Sequence, residues 1–391
     1  MEKKIFFFLI PALFLYFKAV AQTTVPKRHK VAIFTPLYLD SVFTAGNNYR
    51  YNKSFPKFLH AGLDFYQGAQ LAIDSLKNSA APLEVFIYDS RSRRYPLSQQ
   101  INAPELSDVE MIIAHASAPD VRLLADAALK RKIPFISATL PNDAGITENP
   151  YLVILNSSLR THSEGIYGYL QKYHSRDRIV VFKKGGTQEE EIEEHLKNFS
   201  KNTASVPLKI EFENIGNDFD AERLIRKLDS TRRTVCLAGS LDENFGSKLS
   251  QELASVSNTY PITLIGMPTW DNLNIFSKPE FKNIDIVYGT PFFYGRPDRL
   301  LNHIRSVFSA KVNGRPTDMF YRGYEVTLRF ILLLLDAKKD VASNLIRKGN
   351  FVFTNFDIQP VLLNSRNMTL DYFENKKLYF VKYINGIKRV E

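Results

Sequence analysis

The chain of 391 residues holds one cysteine, Cys236, and one tryptophan, Trp270. A single thiol excludes any internal disulfide, so the fold must be held by its core, and roughly 370 residues beyond a leader suffice for two lobes of ordinary domain size. Long apolar runs are missing after residue 21; Phe330–Leu335 is apolar but too short to span a bilayer. Catalytic signatures are missing too. No G-x-S-x-G elbow, HExxH or Walker loop occurs, and Lys183-Lys184-Gly185-Gly186-Thr187 has glycines without the phosphate-loop spacing. His195 sits among Glu189, Glu190, Glu191, Glu193 and Glu194 without metal-ligand spacing, which reads as a solvated acidic helix face. No catalytic residue, metal site or cofactor is therefore assigned. Nucleic acid is not an expected partner, since the positive charge is scattered and no nucleic-acid motif is present.

What the chain does have begins with a leader. Lys3 and Lys4 precede an apolar run from Ile5 to Phe17, followed by Ala19-Val20-Ala21 and Gln22. That pattern predicts a secretory signal peptide over 1–21, cleaved after Ala21, and an exported or periplasmic chain with no membrane span. No cysteine follows the run, so no lipid anchor is expected there. The formal net charge is +10; removing Lys3, Lys4, Lys18 and Glu2 takes away a net +2 and leaves +8. Such a balance suits either acidic ligands or a merely solvated basic surface. The densest basic run, Arg91-Ser92-Arg93-Arg94, reads as an exposed loop or an anion contact.

The segment from Met111 to Asp143 organises the rest. Met111–Ala114 and Pro134–Ala138 are short apolar runs, as strands buried on both faces are. Between them Val121, Leu124, Ala125, Ala128 and Leu129 form one helical stripe. A crossover of that length makes the two strands parallel, and parallel open sheets bind ligands beyond the carboxyl ends of their strands. Those ends carry His115, Ser117, Ser137 and Thr139, hydroxyls beside helix N-terminal amides that suit a carboxylate or phosphate. The alternative has Ser117 only capping the helix and Ser137 and Thr139 only filling turns. Asp89, ending the strand Leu83–Tyr88, points to the same edge, to bind an amine or hydroxyl or to cap the next turn.

Alternating strands and helices run from Val31 to Thr139, break at Asn149-Pro150, and start again from Ile179 to Asp271. Two such blocks predict an α/β chain of two doubly wound, Rossmann-like lobes. Lobe 1 is expected over 22–150 with 292–350 returning to it, and lobe 2 over 151–291 with 351–391 returning to it. The end of the chain reads as two strands, Phe351–Phe353 and Lys377–Ile384, the second followed by an Asn385-Gly386 turn.

Four segments carry a family resemblance: Gly62–Ile73 with its G…GA..A pattern, Glu84–Asp89, Met111–Thr139, and Gly323-Tyr324-Glu325. In this order behind a leader the chain resembles the type I periplasmic binding proteins, in the leucine/isoleucine/valine-binding branch. The resemblance implies two lobes joined by three hinge crossovers, with a ligand trapped between them. It puts Ser117, Ser137 and Thr139 on a ligand carboxylate, and Ser240 with the loop Met267–Asp271 on the second-lobe side. There Trp270 and Asp271 stand for the family's aromatic and acidic groups. Departures are Ala114, followed by His115, in place of a glycine, no tyrosine in the Gly185-Gly186-Thr187 loop, Ser240 in place of an aromatic, and no Glu in the Met267–Asp271 loop.

The expected function is a non-catalytic, exported solute-binding protein for a small polar, carboxylate-bearing, amino-acid-like ligand, delivered to the permease of an ABC transporter. The expected ligand set is His115, Ser117, Ser137, Thr139, Ser240, Trp270, Asp271 and Asp89. A receptor or scaffold of the same fold that binds a protein or envelope polymer is the alternative, favoured by the departures and by the long Pro36–Phe58 loop. A hydrolase using His115 is a third reading, with no nucleophile to pair with it.

Overall fold

Apolar runs without polar alternation become strands covered on both faces, and here they build two separate sheets. The computed structural model describes residues 28–77, 82–294, 299–312, 314–336, 344–346, 352–364 and 367–390. The leader, its cleavage site and the question of a lipid anchor lie outside the described residues. In chain order the strands are β1 (His29–Thr35), β2 (Leu83–Asp89), β3 (Met111–Ala114), β4 (Phe135–Ser137) and β5 (Leu152–Ile154). Then come β6 (Arg178–Lys183), β7 (Ile210–Asn214), β8 (Thr234–Ala238), β9 (Ile262–Gly266) and β10 (Asp285–Thr290). The last are β11 (Ile358–Asn364), β12 (Thr369–Asn375), β13 (Tyr379–Ile384) and β14 (Ile387–Val390).

The first sheet runs β11-β12-β5-β4-β3-β1-β2 and the second β14-β13-β10-β9-β8-β6-β7. From β2 to β5, and from β7 to β10, all pairings are parallel. Each lobe is thus a doubly wound unit with a strand-order reversal, beside β1 and β3 in one and β6 and β8 in the other. Such a reversal opens a crevice at the carboxyl ends of the strands. The predicted unit Met111–Ser137 forms as a parallel pair joined by the helix Ala118–Arg131.

The end of the chain departs from expectation. It supplies four strands, and two of them, β11 and β12, belong to the first sheet, so 351–391 does not return whole to the second lobe. The reason is pairing and burial: Phe373 of β12 lies opposite Val153 of β5, and Ile358 enters the first core. The boundary expected at Asn149-Pro150 likewise falls short, because β5 is still first-sheet. Phe351 lies outside the described residues, and 352–354 is not a strand. Its amides turn inward instead, Phe353 and Thr354 both donating to the Glu325 carboxylate. β13 and β14 close through Asn385 and Gly386, both at positive φ (54° and 73°), the twist a two-residue hairpin needs.

Among the described residues the chain passes between lobes three times: after β5 at Leu155–Ser158, after β10 at Pro291–Tyr294, and between β12 and β13. The helix after the first crossing, Leu159–Tyr173, packs in the second lobe. Phe292 and Tyr294 of the second crossing pack in the first, with the helices Arg299–Val312 and Asp318–Asp336. The glycine patterns have a packing cause. A Cβ on Gly68 would stand 2.0 Å from the Phe320 carbonyl, and one on Gly323 2.1 Å from that of Phe65. Helices His60–Leu76 and Asp318–Asp336 therefore cross backbone to backbone, which fixes the latter helix on the first lobe with its N-terminal turn at the cleft.

A buried clasp ties the crossings together. Glu374, 1% exposed, accepts from the Ser158 amide (2.7 Å) and the Thr161 hydroxyl (2.7 Å), and pairs with Lys376 at 2.5 Å. Burial works against its charge, but Lys376 and these donors outweigh it and hold the carboxyl below its usual range. Ser157 Oγ donates to the Asn375 carbonyl at 2.7 Å, joining the first crossing to the third.

Candidate functional site

The crevice between the lobes holds two cavities of about 1000 Å³ each, which meet at Asp271, Thr290 and Arg322. One is polar and largely acidic. Asp143, Glu164, Glu191, Asp271, Asp371 and Glu374 line it against three permanent cations, Arg160, Arg322 and Lys376. The other is basic, with Arg305, Arg315, Arg322, Lys388 and Arg389 against Asp271 and Asp318, on an aromatic wall of Phe292, Phe293, Tyr294 and Tyr321.

The junction is built by elements already fixed by packing. Arg322 and Asp318 lie four residues apart on the helix Asp318–Asp336, whose other face is core. The Arg322 guanidinium lies 3.7 Å from the centre of the Phe292 ring, and its Nε is buried with no hydrogen-bond partner among the described residues. Facing it from the second lobe, Asp271 ends the loop after β9 and accepts from the Tyr288 hydroxyl at 3.1 Å. Asp318 is held above the usual carboxylate range, first by loss of surrounding water and then by Asp271 across the gap. An arginine without a hydrogen-bonded anion and a carboxylate from the opposite lobe are complementary to a solute carrying both charges.

The residues expected from the sequence divide. Asp271 lines both cavities. His115 and Thr139 meet, Nδ1 to Oγ1 at 2.8 Å, with His115 against the Phe65 ring. Burial and nearby Arg322 push the His115 imidazole down to about 4, so it is neutral at pH 7. Neither His115 nor Thr139 lines the two cavities, and among the described residues no hydroxyl, thiol or carboxyl nucleophile beyond the Thr139 contact is bonded to the imidazole.

The others are engaged in the frame. Ser117 is the N-cap of Ala118–Arg131 but makes no cap hydrogen bond; its hydroxyl donates to Asp120 at 2.8 Å and accepts from Arg91 at 2.7 Å. Arg91 also pairs with Asp120, so the basic run is tied down at its first residue rather than free to take an anion. Ser137 is 1% exposed in β4. Asp89 accepts from the amides of Leu37, Tyr38, Leu39 and Arg91, pinning the turn after β1. Ser240 is fully buried and donates to Glu189 at 2.6 Å. Trp270 is fully buried too, its ring tilted against Phe276 (5.2 Å between centres) in a seat opened by two glycines. A Cβ on Gly266 would stand 2.0 Å from its ring and one on Gly246 2.4 Å from its Nε1. The indole supports the Asp271 loop from behind and does not face the cleft.

Sequence reasoning missed Arg322, Asp318 and Thr290. A signal existed for the first two: they form a charged pair, spaced i and i+4, in the first two turns of a helix whose last turns are apolar, immediately before Gly323-Tyr324-Glu325. Nothing in the local sequence brings them opposite Asp271. Among the described residues no group of three His, Cys, Asp or Glu side chains could hold a metal ion, and no helix is long and apolar enough to cross a membrane.

No family model matches the sequence, and no curated protein matches it. Solved structures do match by shape. An ABC transporter substrate-binding protein from Desulfitobacterium hafniense, in complex with Leu, is 14% identical with a TM-score of 0.58, over 93% of this chain and 100% of that one. A branched chain amino acid ABC transporter periplasmic ligand-binding protein from Burkholderia xenovorans is 13% identical with a TM-score of 0.60, over 93% and 94%. The branched-chain amino acid transporter substrate binding protein LivJ from Streptococcus pneumoniae, in complex with isoleucine, is 15% identical with a TM-score of 0.51, over 93% and 99%. Two doubly wound sheets, three crossings between them and this likeness over nearly the whole chain identify the fold as that of the type I periplasmic binding proteins.

Proposed function

We propose that the protein is a non-catalytic solute-binding protein that traps a small, carboxylate-bearing, amino-acid-like molecule between its lobes. Exported to the periplasm by its leader, it would hand that solute to an ABC importer. The observation that carries this reading is the junction of the two cavities. Arg322, seated on Phe292 with a buried Nε lacking a partner, presents a cation from the first lobe, and Asp271 presents an anion from the second. A zwitterion bridging them gains only when the lobes are together, which is how a ligand drives hinge closure. Leucine and isoleucine in the solved neighbours support the ligand class. In this reading Arg322 takes the carboxylate and Asp271 the amino group. Thr290 supplies the polar floor, and the His115–Thr139 pair backs Arg322. Ser117, Ser137, Ser240, Asp89 and Trp270 position these groups without touching the solute.

Thermal unfolding against a panel of amino acids, small carboxylates, sugars and cell-wall fragments tests it. A ligand at 100 times its dissociation constant adds about 2.7 kcal/mol, a readable shift. A hit from the amino-acid group that Arg322→Ala abolishes is the expected result. A well-folded protein that no small molecule stabilises would turn the assignment to a receptor or scaffold of this fold.

A further inference from the structure

Resting on the reading of the crevice as a solute site, the geometry points to a second, polyanion-binding subsite in its basic cavity. We propose that the solute carries two or more anionic groups, one held at Arg322 and the others between Arg305, Arg315, Lys388 and Arg389.

The cavity of about 1000 Å³ is lined by five cationic side chains and two carboxylates. Arg315, Lys388 and Arg389 are exposed, and among the described residues no side-chain hydrogen bond or ion pair holds them. They come from opposite sides. Arg305, Arg315 and Arg322 belong to the first-lobe helices and the turn between them, while Lys388 and Arg389 lie on β14 at the edge of the second sheet. Like charges converging on one cavity from two lobes repel as the lobes approach, with low-dielectric walls concentrating the field. Among the residues lining the cavity only Asp318 and Asp271 carry negative charge to offset them. A bound polyanion replaces that repulsion with charge-assisted contacts to both lobes, so closure and anion binding become one step. Arg305 is already aimed, its Nε donating to the Tyr321 hydroxyl at 3.1 Å and leaving the rest of its guanidinium to the cavity. The aromatic wall excludes water from one side without competing for the charge.

Two chemistries supply such a solute, a phosphate ester and a polycarboxylate, and the probes separate them. Pyrophosphate, citrate and leucine are titrated calorimetrically into the full chain at low salt. The comparison is with a variant carrying Arg315→Ala, Lys388→Ala and Arg389→Ala, and with the milder Arg389→Gln. The expected result is that pyrophosphate or citrate binds wild type, weakens about tenfold or more in the triple variant and less in Arg389→Gln, and weakens steeply with salt. The leucine constant stays within about twofold in both variants, as leucine carries a single carboxylate and no second anionic group for those residues to hold. Pyrophosphate alone assigns a phosphate ester, and citrate alone a polycarboxylate. Equal polyanion binding by wild type and triple variant, or leucine binding with no polyanion binding, would overturn the subsite and leave the cleft reading standing. Failure of all three probes on wild type would count against both.

Discussion

The two cavities share Asp271, Thr290 and Arg322 yet carry opposite charge. The polar one sets six carboxylates against three permanent cations, and the basic one sets five cations against two carboxylates. The polar cavity's charges are largely spoken for. Glu374 is consumed by Ser158, Thr161 and Lys376 in the hinge clasp, and Asp371 accepts from the Glu148 amide. Among the described residues Arg315, Lys388 and Arg389 of the basic cavity have no such partners. Charge that is satisfied internally builds a hinge, whereas charge left open is available to a ligand, and on the proposed reading the segregation would orient a dipolar solute with its acidic end toward the basic side.

The largest way to break this comparison is at the corner both cavities share. Trp270→Ala removes the indole beneath the Asp271 loop and leaves a core void, an expected loss of about 4 kcal/mol read from the denaturant midpoint. If stability held while solute affinity fell, the indole would belong to the cleft and the corner would have to be redrawn. Next comes Arg322→Ala, which deletes the charge common to both sides. It is expected to weaken solute binding by about 3 kcal/mol, some two orders of magnitude in Kd by calorimetry. An unchanged Kd would move the anchor elsewhere.

A pH series sharpens the difference between open and satisfied groups. His162 lines the polar cavity and His115 stands beside Arg322; burial first, and for His115 also Arg322, depresses both to about 4 from the ordinary 6.5. A depressed histidine contributes stability that is whole above 6.5 and is lost as pH falls from 6.5 toward 4. Each contributes roughly 3 kcal/mol over that window, His115 somewhat less because it is only partly buried. Asp318, shifted upward, works in the opposite sense and offsets part of the loss. Replacing His162 with Gln should flatten the midpoint-against-pH curve; an identical acid limb would mean that its proton is taken up without penalty. The smallest effects separate neighbours on the two walls. Asp271→Asn should cost about 1 kcal/mol of affinity for an amino acid and less for its deaminated analogue. Ser117→Ala should leave affinity untouched, and a tenfold loss would return that hydroxyl to the ligand.

Much of the fold was legible because parallel strands and amphipathic helices write their period into the chain. Met111–Ala114, Ala118–Arg131 and Phe135–Ser137 follow from apolar spacing alone, and Asn385-Gly386 announces its own turn. The site was far less legible. Ser117 and Asp89 sit at strand ends where ligands bind, but so do the groups that tie loops together, and sequence does not say which a hydroxyl will meet. Arg91, 26 residues from Ser117, decided that case. Ser240 met Glu189 across 51 residues, and the single tryptophan found two glycines on different elements.

What the sequence by itself determined is local: strands buried on both faces and the helices between them. Tertiary structure alone decided the rest. Strand pairing sent β11 and β12 to the first sheet, and three crossings set Arg322 of one lobe opposite Asp271 of the other. Periodicity is a property of neighbours along the chain, while a charge's worth depends on what faces it across space. Arg322 and Asp271, where the two cavities meet, are such a facing pair, of residues that the sequence keeps far apart.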